Sequence, residues 1–290
     1  MSRIQDILAR AERDGTARRA TSAPSLVPPP AEFVAPAIDG SSALDASPFM
    51  PDVEATPFPS AVATTLSAAA PAAIATDTRT AQATLHPALV AAIAPHSAVA
   101  EQYRAIRARI THEEGASLRT VMVTSPGNGE GKSITAANLG LAMAQEFQRQ
   151  VVLVDADLRS PSVASLFGLE NGPGLSDVLA GEATLEEALV YLPDFRLTVL
   201  PAGAAPQFPT ELLGSAAMRR AMDTLRARFD RVLLDLPAVM PLADAGTVAP
   251  LADGVVMVVR AGVTQRPALD QALASLEGTR VLGVVLNQAN

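Results

Sequence analysis

The stretch TVMVTSPGNGEGKSITAANLGLAMA, residues 120–144, decides the fold of this 290-residue chain. Residues 120–124 are a β-branched run that reads as a buried strand. Residues 125–131 are a glycine-rich loop, and Lys132-Ser133 opens an Ala/Leu/Met-rich segment with helical spacing. Strand, Gly-rich loop, Lys-Ser and helix in this order make a phosphate-binding loop. In the run Gly127, Asn128, Gly129, Glu130, Gly131, the glycines let backbone N–H groups approach a triphosphate with no Cβ in the way. The helix N-terminus at Lys132, Ser133 and Ile134 adds unpaired donors and its positive dipole end. Lys132 is placed to reach the outer phosphates, and the Ser133 hydroxyl to ligate Mg²⁺. Of 22 basic residues, Lys132 is the single lysine. A compact ammonium suits this position where an arginine fork fits badly. The loop departs from the usual G-x-x-x-x-G-K-S in one place: Pro126 stands at the first glycine, with Gly127 beside it.

Moving outward, residues 151–154 (VVLV) form a second apolar strand that runs into Asp155-Ala156-Asp157-Leu158-Arg159, and residues 231–237 (RVLLDLP) a third that delivers Asp235. Carboxylates at the carboxyl ends of parallel strands sit over the nucleotide crevice, where Mg²⁺ and the γ-phosphate belong. The third strand has the Walker B form, an apolar run carrying an aspartate toward the metal. Helical pieces are expected around 175–179 and 185–189, then a strand at 197–200 and a helix at 215–229. A strand at 254–260, a helix at 267–277 and a strand at 281–286 complete the series. Strand and helix alternate without hairpin signals. The fold class is therefore α/β, a P-loop NTPase fold with a mostly parallel sheet and helices on both faces.

Composition bounds the rest. There are no cysteines, which excludes disulfides and thiolate metal sites, and His86, His96 and His112 have no metal-ligand spacing. The net charge of −8 argues against nonspecific nucleic-acid binding. No run of about 18 apolar residues is present, and the N-terminus lacks the apolar core of a secretion signal. A cytoplasmic protein is expected. Residues 1–20 read as a short amphipathic helix, with Ile4, Ile7, Leu8 and Ala11 on one face. Residues 21–94 read as a disordered Ala/Pro-rich tether, and residues 95–290 as the P-loop domain. In the segment EQYRAIR, Glu101, Arg104 and Arg107 recur at i, i+3 along one helical face.

Taken together, these pieces resemble one family, the bacterial tyrosine kinases (BY-kinases) of capsular and exopolysaccharide systems. EQYRAIR resembles that family's E-x-x-R-x-x-R oligomerisation motif, TSPGNGEGKS its Walker A, VVLVDADLRSP its D-x-D-x-R second Walker motif and VLLDLP its Walker B. The resemblance implies ATP and Mg²⁺ at the P-loop. Lys132, Asp155, Asp157 and Asp235 are its catalytic candidates, with Asp155 or Asp157 as general base. Ser133, Asp155 and Asp235 are the metal-ligand candidates, and Asn287 the residue at adenine. It implies a homo-oligomer built through Glu101, Arg104 and Arg107. It also implies a membrane adapter of polysaccharide co-polymerase type, supplied in trans and recruiting the kinase to the inner face of the membrane. In such systems the kinase governs polysaccharide chain length and export. The tyrosine-rich tail usual in the family has no counterpart, since the chain runs to Asn290 with only Tyr103 and Tyr191; either a separate tyrosine-bearing protein is the acceptor, or the chain is a degenerate member that hydrolyses or senses ATP. Two alternatives stay open: a non-kinase regulatory ATPase of the partition and septum-site type, and a nucleotide-gated scaffold of the export machinery. Against the first, the position of that type's signature lysine is Gly127.

Overall fold

The computed structural model describes residues 78–287 apart from 113–117, 147 and 242. The expected N-terminal helix and most of the expected tether lie outside the described residues. The strands are β1 (Arg79–Thr80), β2 (Thr120–Thr124), β3 (Val151–Asp155), β4 (Val190–Leu192), β5 (Leu197–Leu200), β6 (Arg231–Asp235), β7 (Gly254–Arg260) and β8 (Val281–Asn287). The α-helices are α1 (Val90–Ile93), α2 (Ala98–His112), α3 (Lys132–Ala144), α4 (Val163–Leu166), α5 (Leu175–Ala180), α6 (Leu185–Ala188), α7 (Pro209–Leu213), α8 (Ala216–Arg228), α9 (Asp244–Val248) and α10 (Arg266–Ser275).

All eight strands form one sheet in the order β1-β4-β5-β3-β6-β2-β7-β8. From β5 to β8 every neighbouring pair is parallel. Every residue of β2 and β3 is buried, as expected of apolar strands covered on both faces. The crossover β2–α3–β3 steps one way along the sheet, whereas β5–α8–β6, β6–α9–β7 and β7–α10–β8 step the other. With right-handed crossovers, α3 lies on one face and α8, α9 and α10 on the opposite face. Leu139, Leu141 and Met143 of α3 share a core with Val121 and Val123 of β2, Leu153 of β3 and Leu233 of β6. The reversal of direction falls between β2 and β3. There the carboxyl ends of β2, β3 and β6 open into one crevice.

Two expectations need correction. The expected tether extends to residue 94, but residues 78–94 belong to the domain. Leu89 is fully buried, and His86 N–H donates to the Leu166 carbonyl (2.8 Å). Asn138 of α3 clasps the segment by accepting from Ala91 N–H and donating to the Ala88 carbonyl, each at 2.9 Å. An Ala-rich strap that needs one leucine and a helix-borne amide to anchor it leaves almost no periodic signal. The second correction concerns hairpins. β4 pairs antiparallel with β5 across the turn Pro193–Phe195, and Arg196 adopts φ 54° there. Glycine or asparagine usually marks a left-handed turn position, so an arginine hides it. No helix among the described residues is long and apolar enough to cross a membrane.

Candidate active site

β2 carries the chain into the loop at 125–131, and the segment after β6 braces its entrance. Thr124 Oγ1 donates to the Pro237 carbonyl (2.6 Å), and Val239 N–H donates to the Ser125 carbonyl (2.8 Å). Gly131 has φ 87°, and a Cβ there would lie 2.0 Å from Asn287 Nδ2. The left-handed φ favours glycine at this point, and a Cβ would also push the Asn287 amide aside. Asn287 donates to the Glu130 carbonyl (3.0 Å), so the side chain expected at adenine is seen holding the loop's own backbone. Glu130 is buried, with one carboxylate oxygen accepting from Thr264 Oγ1 (2.7 Å) and the other lacking a partner. The Thr264 hydroxyl accepts in turn from Arg260 N–H (2.8 Å). P-loop, β7 exit and β8 are thereby joined. Gly127, Asn128 and Gly129 line a cavity of about 320 Å³ closed by Met240, Val263 and Gln265. The Ile134 side chain packs against the core, leaving its backbone as its contribution to the loop. The sequence named Glu130 without a role and missed Thr264, which stands in no motif.

The carboxylates converge beside Lys132. Its Nζ lies 2.8 Å from Asp157 Oδ2 and 3.5 Å from Ser133 Oγ. Asp157 Oδ1 accepts from Ser160 N–H (3.0 Å). Asp155 and Asp235 end adjacent strands in register and are fully buried. Asp155 accepts three backbone N–H groups, from Asp157 (3.2 Å), Ser162 (3.0 Å) and Val163 (3.0 Å). Neither oxygen of Asp235 accepts a well-formed hydrogen bond among the described residues, although the Ser133 hydroxyl lies close enough to lower its pKa. Burial pushes the Asp235 carboxyl up to about 8, Asp155 adding to the shift and Lys132 and Ser133 opposing it. Burial raises Asp155 to about 6 against the pull of its three amide donors. A bare buried carboxylate next to a helix N-terminus and an ammonium suits a cation that brings its own anionic ligands. Among the described residues no three His, Cys, Asp or Glu side chains form a metal cluster. Mg²⁺ held by one or two carboxylates and by phosphates needs none.

Away from the crevice, Arg104 is paired to Glu101 through two hydrogen bonds (2.6 and 3.0 Å). Arg107 donates to the Ala142 carbonyl (2.8 Å) at the end of α3, so part of the E-x-x-R-x-x-R face is engaged within its own domain. Tyr103 is buried, and burial pushes its phenol above the ordinary value. Tyr191 is half-buried on β4.

Residues 121–290 match the family model described as the CobQ/CobB/MinD/ParA nucleotide binding domain. The chain is 38% identical over 202 residues to the tyrosine-protein kinase YwqD of Bacillus subtilis, covering 69% of this chain and 85% of that protein. It is 33% identical over 193 residues to the tyrosine-protein kinase CpsD of Streptococcus agalactiae, covering 66% and 83%. The match to the succinoglycan biosynthesis transport protein ExoP of Rhizobium meliloti, at 36% identity, spans 68% of this chain but 26% of that longer protein. Among solved structures, the chimerical protein CapA2B2 aligns with a TM-score of 0.68 at 31% identity, over 73% of this chain and 93% of the other. The kinase domain of the Escherichia coli tyrosine kinase ETK aligns with a TM-score of 0.66 at 26% identity, over 69% and 80%. The motif order, the crevice and these likenesses agree: the chain belongs to the CobQ/CobB/MinD/ParA nucleotide-binding domain family and, within it, to the bacterial tyrosine kinases.

Proposed function

We propose that this protein-tyrosine kinase transfers the γ-phosphoryl group of ATP to a tyrosine on a partner protein. Its setting is capsular or exopolysaccharide chain-length control and export, together with a membrane adapter of polysaccharide co-polymerase type. The observation that carries the chemistry is the pairing of Lys132 with Asp157 at 2.8 Å beside the partnerless carboxylate of Asp235. When a triphosphate fills the loop, Lys132 exchanges Asp157 for the outer phosphate oxygens. Asp157 is then free to accept the proton of the tyrosine hydroxyl as that oxygen bonds to phosphorus and ADP departs. Asp235 and Ser133 would hold Mg²⁺, which supplies positive charge to the β- and γ-phosphates. Asp155 adds negative charge beside Asp235 and caps α4, so its share in the metal site is the smaller one. The cavity of about 320 Å³ beside Asn128 is of a size for the base, with Asn287 fixing the loop that borders it.

A separate acceptor is supported by where the two tyrosines lie. One is buried and the other sits within the sheet, so neither reaches the crevice of a neighbouring copy without unfolding local structure. The adapter assignment is supported by ExoP, a transport protein that carries a similar stretch inside a longer chain. A cytoplasmic kinase drawn to the inner face of the membrane fits that arrangement. Glu101, 65% exposed at its side chain, remains open to a neighbouring copy, while Arg104, 23% exposed, also donates to the Pro95 carbonyl. The deciding experiment is incubation with γ-labelled ATP, Mg²⁺ and a tyrosine-bearing peptide, with and without the cytoplasmic segment of a candidate adapter. Labelled phosphotyrosine is expected. Labelled inorganic phosphate alone would identify a regulatory ATPase instead, and neither product a nucleotide-gated scaffold.

A further inference from the structure

The turn that carries Asp157 is fixed at three points. Asp157 Oδ1 accepts from Ser160 N–H, and Asp155 Oδ2 accepts from Ser162 and Val163 N–H. Both of these belong to the exit of β3 itself. The third point reaches another part of the fold. Arg159 Nε donates to Asp244 Oδ2 (2.6 Å) and its Nη2 to Asp244 Oδ1 (3.3 Å), so the guanidinium meets the carboxylate side-on with both nitrogens. The same Nη2 donates to Thr210 Oγ1 (2.9 Å), and the Thr210 hydroxyl donates to Asp244 Oδ1. Asp244 is fully buried at the start of α9, the first helix after β6, and Thr210 belongs to α7. Arg159 keeps 37% of its side chain exposed.

A buried carboxylate is costly unless charge and hydrogen bonds compensate it, and here Arg159 and Thr210 do so completely. A two-point guanidinium–carboxylate contact also fixes direction, which a lysine in its place would not. Pro161 limits the remaining freedom of the turn. We infer that Asp244 is a positioning residue for phosphoryl transfer: through Arg159 it locks the 157–162 turn, and with it Asp157, to the exit of the strand that bears Asp235. Asp244 lies outside the Walker motifs. The inference rests on the proposed role of Asp157 as proton acceptor.

The test is Asp244→Asn in the full chain, read by amide hydrogen exchange and by steady-state kinetics. Exchange at Ser160, Ser162 and Val163 rises by about tenfold or more while the amides of β3 and β6 keep their protection. The kcat for tyrosine phosphorylation falls by about 100-fold, the cost of an ångström-scale misplacement of a reacting group, with KM for ATP within about twofold of the original. Arg159→Met combined with Asp244→Asn costs no more than Asp244→Asn alone, because both remove one contact. Should Asp244→Asn fail to fold, Thr210→Val and Arg159→Lys loosen the same contact and are read the same way. Unchanged exchange at the three amides in a folded variant overturns the inference, whatever the activity. So does an unchanged kcat. A wild-type chain that transfers no phosphate to tyrosine overturns the assignment of Asp157, while the exchange data still decide whether Asp244 holds the turn.

Discussion

Strands β3 and β6 lie side by side and end in register on aspartates, yet the two carboxylates live in opposite surroundings. Asp155 is saturated by three backbone amides from the turn just after it, whereas Asp235 has none. Both are shielded from water, so the difference is not one of exposure. After β3 the chain folds back over its own strand end as a short helix and presents donors to the carboxylate. After β6 it runs beside the P-loop, and the N–H groups of Leu236, Val239 and Met240 donate to the carbonyls of Val123, Ser125 and Pro126 rather than to Asp235. One aspartate is tied into the scaffold; the other stays buried without a backbone donor at a free-energy cost, which fits its proposed part in holding the metal. Identical residues at equivalent strand ends need not share a role, and the hydrogen bonds each makes tell them apart.

Substitutions should separate the two. The largest effect is expected for Asp235→Asn, which lowers phosphoryl transfer by about a thousandfold, as removal of a preorganised charge at a developing phosphoryl transition state does. The same change should raise the melting temperature of the nucleotide-free protein, since it deletes an uncompensated buried acid. Asp155→Asn is expected to have the opposite sign in a melting experiment, a loss of about 2 kcal/mol from three amides facing an amide. If both variants shift stability in the same direction, the contrast between scaffold and site fails. Next in size is Lys132→Met, which removes the cation between the carboxylates and should reduce transfer by about 100-fold with little change in fold. Retention of normal nucleotide affinity in that variant would break the assignment of the loop. Ser133→Ala should raise the magnesium concentration needed for half-maximal activity by about tenfold and leave the melting temperature alone.

The smallest effect is one of pH. Both acids titrate above the ordinary carboxylate value of 3.8, Asp155 at about 6 and Asp235 at about 8. A carboxyl group raised in the folded state favours folding below its unfolded value, and that contribution disappears as pH climbs through the folded one. Thermal stability of the nucleotide-free protein should therefore decline from pH 4 to pH 8. In Asp235→Asn the decline should level off about one unit above pH 6, once Asp155 has finished titrating. A melting curve that moves the other way over this range would show that the two groups ionise freely in the fold.

Much of this architecture is legible in the sequence because the central strands are fully buried. VMV, VVLV and VLL can be little else than core strands, and the P-loop fixes the order of the strands and helices C-terminal to it. Two of the features that escape notice are held by residues far apart in the chain, and one by a turn residue of unusual type. The strap at 78–94 depends on Leu89 and Asn138, the β4–β5 hairpin on a left-handed arginine, and the Asp157 turn on Asp244, 85 residues beyond Arg159. Within the site, the motif names Asp155 and Asp235 equally. Which one is capped depends on the direction the chain takes after each strand, and no local pattern records that.

The contact between Asn287 and the P-loop also bears on when the enzyme first becomes competent. Gly131 and Glu130 are held by Asn287, 157 residues after Glu130. At translation rates of about 5–20 residues per second, roughly 10 to 30 s separate the emergence of the loop from that of the amide that secures it. A nascent chain would thus display its phosphate-binding motif through 157 further residues of synthesis without the strand that closes it. Completion of the loop's support is then a late event in the life of the polypeptide, since it waits on β8, the last strand of the sheet.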